Sequence, residues 1–281
     1  MTIWTQLLGS EVRYVGTRFR TRALLAGDGE PLLLLHGQGG SLENFRHNIA
    51  AFAEHYRVVA VDFLWHGLSE KPPLNGPLIP RLIEQVLDVV DTLRLAPCQV
   101  EGQSQGGWVA ATLAIQQPEL VRKLVLTTPT GLEPELGPVA PAALAAQLAN
   151  HLEILDDPTD EAVRRRMAIL VSDLSVIDDE QFALRSWFMR NPEVNAGMRA
   201  AITAYLSPEN QALRLGPDEL GRLTMPTLLY WGSHNMGGRA KGDALARVIP
   251  GGNYHCPDVG HWAQFEQPDE HNRVVLDFLA G

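Results

Sequence analysis

One stretch of the sequence decides the fold: Gln99-Val100-Glu101-Gly102-Gln103-Ser104-Gln105-Gly106-Gly107. It holds a GxSxG motif between a short strand-like run and a helix-like segment rich in small residues. A serine at such a sharp turn holds a strained backbone conformation that small neighbours permit, and its hydroxyl is exposed at the carboxyl end of the sheet. We predict that Ser104 is a nucleophile. The alternative is a Gly/Ser turn that serves only tight packing.

Short apolar runs alternate with helix-length amphipathic segments around this motif, which is typical of a mostly parallel sheet with crossover helices. We predict strands at 11–15, 20–25, 31–35, 57–62, 99–102, 123–127, 226–231 and 252–257. We predict helices at 41–54, 80–93, 104–117 and 269–279. The fold class is therefore α/β, with an eight-stranded, mostly parallel sheet and helices on both faces.

The alternation stops between about residues 130 and 217, where no strand-like run occurs. Segments 138–152 and 178–205 have apolar residues three and four apart, which predicts helices. We expect one core in two parts, residues 1–130 and 218–281, interrupted by a helical lid at 131–217. The lid is apolar enough to favour a hydrophobic acid or ester as the substrate.

The charge balance disfavours nucleic acid as a partner. The 281 residues include 33 Asp and Glu against 23 Lys and Arg, a formal net charge of −10, which repels a phosphate backbone. No apolar run approaches the ~20 residues of a membrane span, no targeting segment opens the chain, and the two cysteines have no disulfide-framework or zinc spacing. We expect a cytoplasmic protein that binds a small-molecule substrate and no membrane. A homo-oligomer is compatible with the sequence.

A second glycine-rich turn, His36-Gly37-Gln38-Gly39-Gly40, follows the apolar strand at 31–35. Flexible backbone there can turn its amides toward a developing oxyanion, and the amide after the nucleophile supplies a second donor. We predict that the amides of Gln38 and Gln105 form an oxyanion hole. The alternative, a dinucleotide-binding loop, lacks the GxGxxG pattern.

His261 lies after the last predicted strand and before the last helix, where a base must lie to reach Ser104 across the sheet. We predict that it is the general base, and the alternative is a surface histidine at a helix start. His255 and Cys256 could instead form a metal site with it, but we expect neither a metal nor an organic cofactor.

Taken together, these motifs resemble the α/β-hydrolase family over the whole chain. The His-Gly turn, the GxSxG motif, the loop at 61–69 and the C-terminal histidine come in the family's order. Residues 260–268, Gly-His-Trp-Ala-Gln-Phe-Glu-Gln-Pro, are similar to the meta-cleavage product hydrolases, which cut a C–C bond in ring-opened aromatic dienoates. The resemblance implies a serine hydrolase of aromatic compound catabolism.

The same resemblance implies a set of substrate contacts. Either Arg185 or Arg190 matches a carboxylate-binding arginine, whose fixed fork suits a substrate carboxylate; the alternative for each is a solvent-facing helix residue. Gln103 stands where those enzymes usually carry Asn. Trp262 is expected to wall the pocket, with core packing as the alternative. The full set is Gly37, Asn44, Gln103, Arg185, Arg190 and Trp262.

The chain departs from the family at the acid of the triad. The family position reads Gly232-Ser233-His234-Asn235, and no carboxylate occurs between Glu219 and Asp243. Asn235 is therefore the predicted third member. An amide can orient an imidazole, but it carries no charge, and in serine proteases Asp→Asn lowers turnover about 10⁴-fold through the wrong tautomer. Ordinary serine hydrolysis should be impaired.

Four explanations of Asn235 stay open. It is a substitution that traps a ligand, or the acid has moved to Glu133, or a Ser-His-Asn set works natively, or the fold performs non-hydrolytic chemistry. We expect hydrolysis of a C–C or ester bond in a small hydrophobic carbonyl compound. The alternative function is a cofactor-free lyase or cyclase, or a ligand receptor, with Asn235 native. Asp62, Asp243 and Asp258 are predicted to be caps or surface charges.

Overall fold

A computed structural model describes residues 2–281, and its centre is an eight-stranded sheet. The strands are β1 (Glu11–Val15), β2 (Thr21–Ala26), β3 (Pro31–Leu35), β4 (Arg57–Val61), β5 (Cys98–Gln103), β6 (Val121–Thr127), β7 (Thr227–Tyr230) and β8 (Asn253–His255). Their order is β1-β2-β4-β3-β5-β6-β7-β8, and only the β1–β2 and β2–β4 pairs are antiparallel. The predicted fold class and all eight strands are confirmed.

Thirteen α-helices occur in residues 2–281, and none is long and apolar enough to cross a membrane. They are α1 (Ile3–Gln6), α2 (Ile49–Ala53), α3 (Leu78–Leu93), α4 (Gln105–Gln116), α5 (Pro141–Asp156), α6 (Asp160–Ala168), α7 (Asp179–Arg190), α8 (Pro192–Tyr205), α9 (Pro208–Gln211), α10 (Pro217–Leu220), α11 (Gly238–Val248), α12 (Ala263–Glu266) and α13 (Pro268–Ala280). Short 3-10 helices span Leu42–Phe45, Pro118–Leu120 and Leu174–Val176.

Strand β3 shows why helices cover both faces of the sheet. Successive side chains of a strand point to opposite faces. Leu33 and Leu35 pack into a core with α3, α4 and α11, whereas Leu32 and Leu34 pack with α1, α2 and α13. All four leucines are fully buried, and each contributes about 2 kcal/mol of burial free energy.

Helices α5 to α9 fall within the segment expected to form the lid, between β6 and β7. The two ends of the segment meet at its base, where Leu132 and Leu215 form an isolated parallel bridge. The lid helices bury their own apolar cluster, which also takes in Trp262 and Phe265 from the core. This shared cluster holds the lid against the loop that carries His261.

Two predicted helices are wrong in extent. The segment 41–54 is a 3-10 turn followed by the short α2, because the Asn48 amide donates to the Gln264 carbonyl and to Asn272, which holds the chain in a bend. The segment 178–205 is two helices. The Asn191 side chain accepts from the amides of residues 193 and 194 and Pro192 takes the first helical position, so α8 begins anew there.

Candidate active site

Ser104 sits in the strained turn that its motif predicts. Its backbone has φ 55° and ψ −119°, a conformation that non-glycine residues rarely adopt. The flanking glycines make this turn possible: a Cβ on Gly106 would lie 2.1 Å from the carbonyl oxygen of Leu35, and one on Gly102 would lie 2.3 Å from the carbonyl oxygen of Gly106. The two glycines therefore let β5, α4 and β3 approach closely enough to present the hydroxyl.

The three residues predicted as a triad meet at the carboxyl ends of the strands. The Ser104 Oγ lies 2.9 Å from Nε2 of His261, and Nδ1 of His261 lies 2.8 Å from Oδ1 of Asn235. Ser104 and Asn235 are each about 95% buried, at 6% and 5% exposed. The arrangement is a continuous hydrogen-bonded chain that can pass a proton from the hydroxyl to the imidazole.

The orientation of the Asn235 amide is set by the backbone. The amide N–H of Met236 donates to the same Oδ1, at 2.8 Å, that faces His261. Turning the amide over would set its NH₂ group against this N–H, so the oxygen stays toward the imidazole. Because Oδ1 only accepts, Nδ1 of His261 must carry the proton, and Nε2 is left free to accept from Ser104. The wrong tautomer expected of an Asn is thus disfavoured.

The His261 backbone is held by two residues at the ends of β5 and β6. The hydroxyl of Thr128 donates to the His261 carbonyl at 2.7 Å, and Nε2 of Gln103 donates to the same oxygen at 3.1 Å. Gln103 Nε2 is therefore occupied by the protein, but its Oε1 is buried without a donor and lies beside Gly37. Gln103 is fully buried and does not line the cavity that Ser104 and His261 line, so the predicted substrate contact of Gln103 is not brought to that cavity.

The pKa of His261 is set by burial and by a nearby positive charge. The pKa of His261 is lowered to about 4, first because burial penalises the charged ring and then because the positive charge of Arg166 lies nearby. No carboxylate of residues 2–281 opposes these effects. The imidazole is therefore neutral at pH 7 and available as a base, but its protonated form is poorly stabilised.

The two amides predicted as an oxyanion hole have no protein acceptor in the described chain. The Gly37 carbonyl is turned into its own loop, where it accepts from Nδ1 of His36 at 2.7 Å and from the amide of Gly40 at 3.0 Å. The Gln38 N–H belongs to the same peptide and points the opposite way. The Gln105 amide lies at the N-terminus of α4, where the first N–H groups are free.

A cavity lies between lid and sheet, and Ser104, His261 and Asn235 line it. It adjoins a second, much narrower cavity that Arg185 lines. Gln38 and Arg166 line both. Arg185 is 5% exposed, its guanidinium lies 5.2 Å above the Trp262 ring, and no carboxylate of residues 2–281 pairs with it.

Other predicted contacts lie outside the cavity. Arg190 is on the surface, where it pairs with Asp160 and donates to the Pro158 carbonyl, so the structure does not bring it to the site. Asn44 is buried beside Gly40 within its own loop. Trp262 is 2% exposed and packs in the lid cluster beneath Arg185 rather than along the cavity wall.

The carboxylates considered as replacement acids have other partners. Glu133 pairs with Lys241 at 2.9 Å and with Arg214 at 4.0 Å, not with His261. The prediction of a cap or surface charge is wrong for Asp62, which is fully buried, pairs with Arg22 and accepts from the backbone amides of residues 42 and 68. Asp258 lies at the surface and binds Ser233 and His234. Within residues 2–281 no group of three or more His, Cys, Asp or Glu side chains is placed to hold a metal ion.

Three residues at the site escaped the sequence analysis. Met236 acts through its backbone N–H, which donates to Asn235, and Thr128 acts through its hydroxyl, which donates to the His261 carbonyl. No sequence motif predicts either contact. Arg166 carried a signal that was not used: it follows the buried Val163 by three positions and precedes the buried Met167 on α6. That spacing places it on the inward side of the helix.

Comparison with known proteins defines the class. The alpha/beta hydrolase fold family matches residues 30–268. The chain therefore belongs to this family and is an enzyme of the hydrolase type.

Its relatives within the family are meta-cleavage product hydrolases. A 2-hydroxy-6-oxononadienedioate/2-hydroxy-6-oxononatrienedioate hydrolase of Comamonas testosteroni is 30% identical, over 94% of this chain and 92% of that protein. A 2-hydroxy-6-oxo-6-phenylhexa-2,4-dienoate hydrolase of Burkholderia cepacia is 29% identical over the same shares. The crystal structure of a meta-cleavage product hydrolase from Pseudomonas fluorescens has the same fold, with a TM-score of 0.81, 23% identity, and 97% and 98% of the two chains covered.

Proposed function

We propose that this protein is a serine hydrolase that cleaves a C–C bond next to a ketone in a ring-opened dienoate. The observation that carries the proposal is the hydrogen-bonded chain from Ser104 through His261 to Asn235, which lines a cavity that adjoins the one lined by Arg185. The relatives act on compounds with a carboxylate, a 2-hydroxyl and a 6-oxo group. The cavity lining offers the guanidinium of Arg185 to the carboxylate and the backbone amide of Gln38 to the 6-oxo group.

Arg185 binds the substrate carboxylate. It is a buried guanidinium without a carboxylate partner in the described chain, and an unpaired charge of this kind is costly unless a ligand neutralises it. Its planar fork can donate two parallel hydrogen bonds to a carboxylate, and its guanidinium carbon lies 5.2 Å from the centre of the Trp262 ring. The carboxylate thereby orients the chain of the substrate toward Ser104.

The first chemical step moves a proton from the 2-hydroxyl to C5, which converts the dienol into its keto form. Neutral His261, whose Nε2 faces the cavity, relays this proton. C5 becomes tetrahedral, and the bond between C5 and C6 can then break toward a conjugated acceptor.

Ser104 then attacks the C6 carbonyl while His261 Nε2 takes its proton. The developing oxyanion is held by the free amides of Gln38 and Gln105. When the C5–C6 bond breaks, its electron pair passes along the conjugated chain to the oxygen on C2, which His261 protonates. Water then hydrolyses the acyl-serine, with His261 as base, and releases a carboxylic acid.

Asn235 fits this mechanism better than its chemistry alone implies. The Met236 N–H holds the amide so that His261 carries its proton on Nδ1, which is the tautomer a general base requires. Only the charge of an acid is lost. This geometry supports a working Ser-His-Asn set. A lyase, a cyclase or a receptor would not require a serine hydrogen-bonded to an imidazole that carries its proton on Nδ1.

The test is turnover of synthetic 2-hydroxy-6-oxo-6-phenylhexa-2,4-dienoate, with benzoate and 2-hydroxypentadienoate quantified by chromatography. We expect both products in equal amounts, and none from Ser104→Ala. Ser233→Ala is the matched control, because that hydroxyl binds the surface carboxylate of Asp258. Ketonisation or isomerisation without benzoate would support the non-hydrolytic alternative. Turnover of p-nitrophenyl esters alone would limit the activity to ester hydrolysis.

A further inference from the structure

Glu266 belongs to the 260–268 stretch but has no role in the proposed reaction. It is the last residue of α12, and its carboxylate accepts the backbone N–H of Gly260 at 2.8 Å. This contact closes the segment between residues 260 and 266 into a loop that contains His261. The residue directly before the base is therefore held by a side chain that lies further along the same segment.

The same carboxylate also binds the lid. The backbone N–H of Ser172 donates to both of its oxygens, at 3.0 and 3.1 Å, and the N–H of Asp173 donates to one of them at 3.2 Å. The Ser172 hydroxyl is a further donor. Both residues belong to the lid loop, residues 170–173, which lies between α6 and the 3-10 helix Leu174–Val176. One carboxylate therefore joins the lid loop to the loop that carries the base.

Two further contacts bring the lid loop against the neighbours of His261. The Trp262 N–H donates to the Leu170 carbonyl at 2.7 Å. A Cβ on Gly260 would lie 2.7 Å from the backbone nitrogen of Ser172, so a side chain there would push the two loops apart. The residues on both sides of His261 are therefore attached to the lid loop, whereas its own carbonyl is attached to the ends of β5 and β6.

The lid loop also forms part of the cavity wall. Leu170 lines both the cavity of Ser104 and the adjoining cavity of Arg185. The far side of the loop faces water, because Ser172 and Asp173 are exposed to solvent. Solvent-exposed backbone hydrogen bonds open more readily than buried ones. The lid loop is thus a piece of cavity wall that can detach, and its detachment would also release the backbone around the base.

We propose that Glu266 is a positioning residue that places His261 for catalysis only while the lid loop is seated. This inference rests on the proposed function, because it concerns the base of the same reaction. Nε2 of His261 lies 2.9 Å from Oγ of Ser104, and a displacement of about 1 Å from such a geometry can cost about 100-fold in rate. When the lid loop detaches, the imidazole loses this position. The base is therefore competent only under a closed cavity wall.

Glu266→Gln tests the proposal, because it keeps the size of the side chain but replaces one acceptor oxygen by an NH₂ donor. In either orientation this NH₂ group faces a backbone N–H of Gly260 or of the lid loop. We expect kcat for p-nitrophenyl ester hydrolysis to fall about 10- to 100-fold, with KM within about threefold, because the groups that contact the substrate are unchanged. Asp269→Asn is the matched control, since it removes a carboxylate from the exposed start of α13, and it should change neither constant.

The ring N–H of His261 supplies a second measurement, which needs no turnover. Its Nδ1 proton is donated to Asn235, and NMR of protein labelled with ¹⁵N-histidine follows its exchange with solvent, with His261→Ala identifying the signal. We expect this proton to exchange at least about tenfold faster in Glu266→Gln than in the parent. Gly260→Ala should have the same effect, because it keeps every hydrogen-bonding group but pushes the lid loop away. Asp269→Asn should exchange at the parental rate.

Ser172→Ala keeps the test decisive if the stronger variants do not fold. It removes one exposed hydroxyl from the lid loop, yet it should still speed exchange of the His261 ring N–H about two- to threefold.

Two results would overturn the proposal. One is ring exchange at the parental rate in every variant of this clamp that folds. The other is a lower kcat in Glu266→Gln that comes with a raised KM and a lowered melting temperature, which would indicate a structural role alone. Failure of the proposed function has a different signature: the unaltered protein then turns over neither dienoate nor ester, whereas the ring exchange still reports on Glu266.

Discussion

Replacing Asn235 by Asp tests the reading of the triad most directly. The new carboxylate would occupy the position of an amide oxygen that lies 2.8 Å from Nδ1 of His261 and accepts the Met236 N–H. Geometry and tautomer are therefore preserved, and the variant adds only a negative charge. We expect a faster enzyme, because the charge stabilises the imidazolium that forms in the transition state.

The size of the gain follows from the distance and the burial. Two unit charges about 4 Å apart attract by ~4 kcal/mol at an effective dielectric constant of about 20. The desolvation cost of a carboxylate at residue 235, which is 5% exposed, offsets part of this attraction. We expect about 2–3 kcal/mol of net stabilisation, which is about 30- to 150-fold in kcat. This is less than the ~10⁴-fold effect in serine proteases, where the amide also selects the wrong tautomer.

The pH profile supplies an independent measurement. In the parent protein the pKa of His261 is lowered to about 4, so kcat/KM should stay flat from pH 8 down to about 5. In Asn235→Asp the same carboxylate raises this pKa by about 2 units, which moves the acid limb to near pH 6. The assay is the initial rate of p-nitrophenyl ester hydrolysis between pH 4.5 and 8.

Two further variants complete this test. Asn235→Ala removes the acceptor and should lower kcat below that of the parent, because the imidazole is no longer held in one tautomer. Glu133→Gln should leave the rate unchanged, since that carboxylate pairs with Lys241. An Asn235→Asp variant that is no faster than the parent, with its acid limb unmoved, would refute the reasoning. A large loss in Glu133→Gln would instead locate the acid at Glu133.

Three other outcomes are expected. Burial lowers the pKa of both His36 and His66 to about 3, so below pH 6.5 the unfolded chain binds more protons than the folded chain. The free energy of unfolding in urea should therefore be highest above pH 6.5 and fall by an amount on the order of 5 kcal/mol by pH 4. A urea midpoint that does not change with pH would contradict this. Gly106→Ala places a methyl 2.1 Å from a β3 carbonyl and should cost about 3 kcal/mol in thermal unfolding, whereas a parent-like melting temperature would refute the close packing. Thr128→Val removes a hydroxyl that donates to the His261 carbonyl and should lower kcat about fivefold without changing KM. If Thr128 had only a structural role, the loss would not be confined to kcat.

Much of the fold was predictable because its signals are local. The eight strands and the helices α3, α4 and α13 follow from short apolar runs and helical spacing between turn residues. The two errors of extent, at 41–54 and 178–205, arose where side-chain hydrogen bonds of Asn48 and Asn191 interrupt a pattern that is otherwise helical. A periodic pattern carries no information about such contacts across the chain.

The sequence by itself determined the candidate catalytic groups: a serine in a glycine-flanked turn, a histidine after the last strand, and an amide where an acid is expected. These depend on residue identity and on chain order, which the sequence contains. Only the tertiary structure decided how the amide faces the imidazole, which of two lid arginines enters the cavity, and that Arg166 joins it. Those choices depend on distances between segments that are 26 or more residues apart, such as Asn235 and His261. Packing of the lid against the sheet fixes these distances, and no local pattern encodes them.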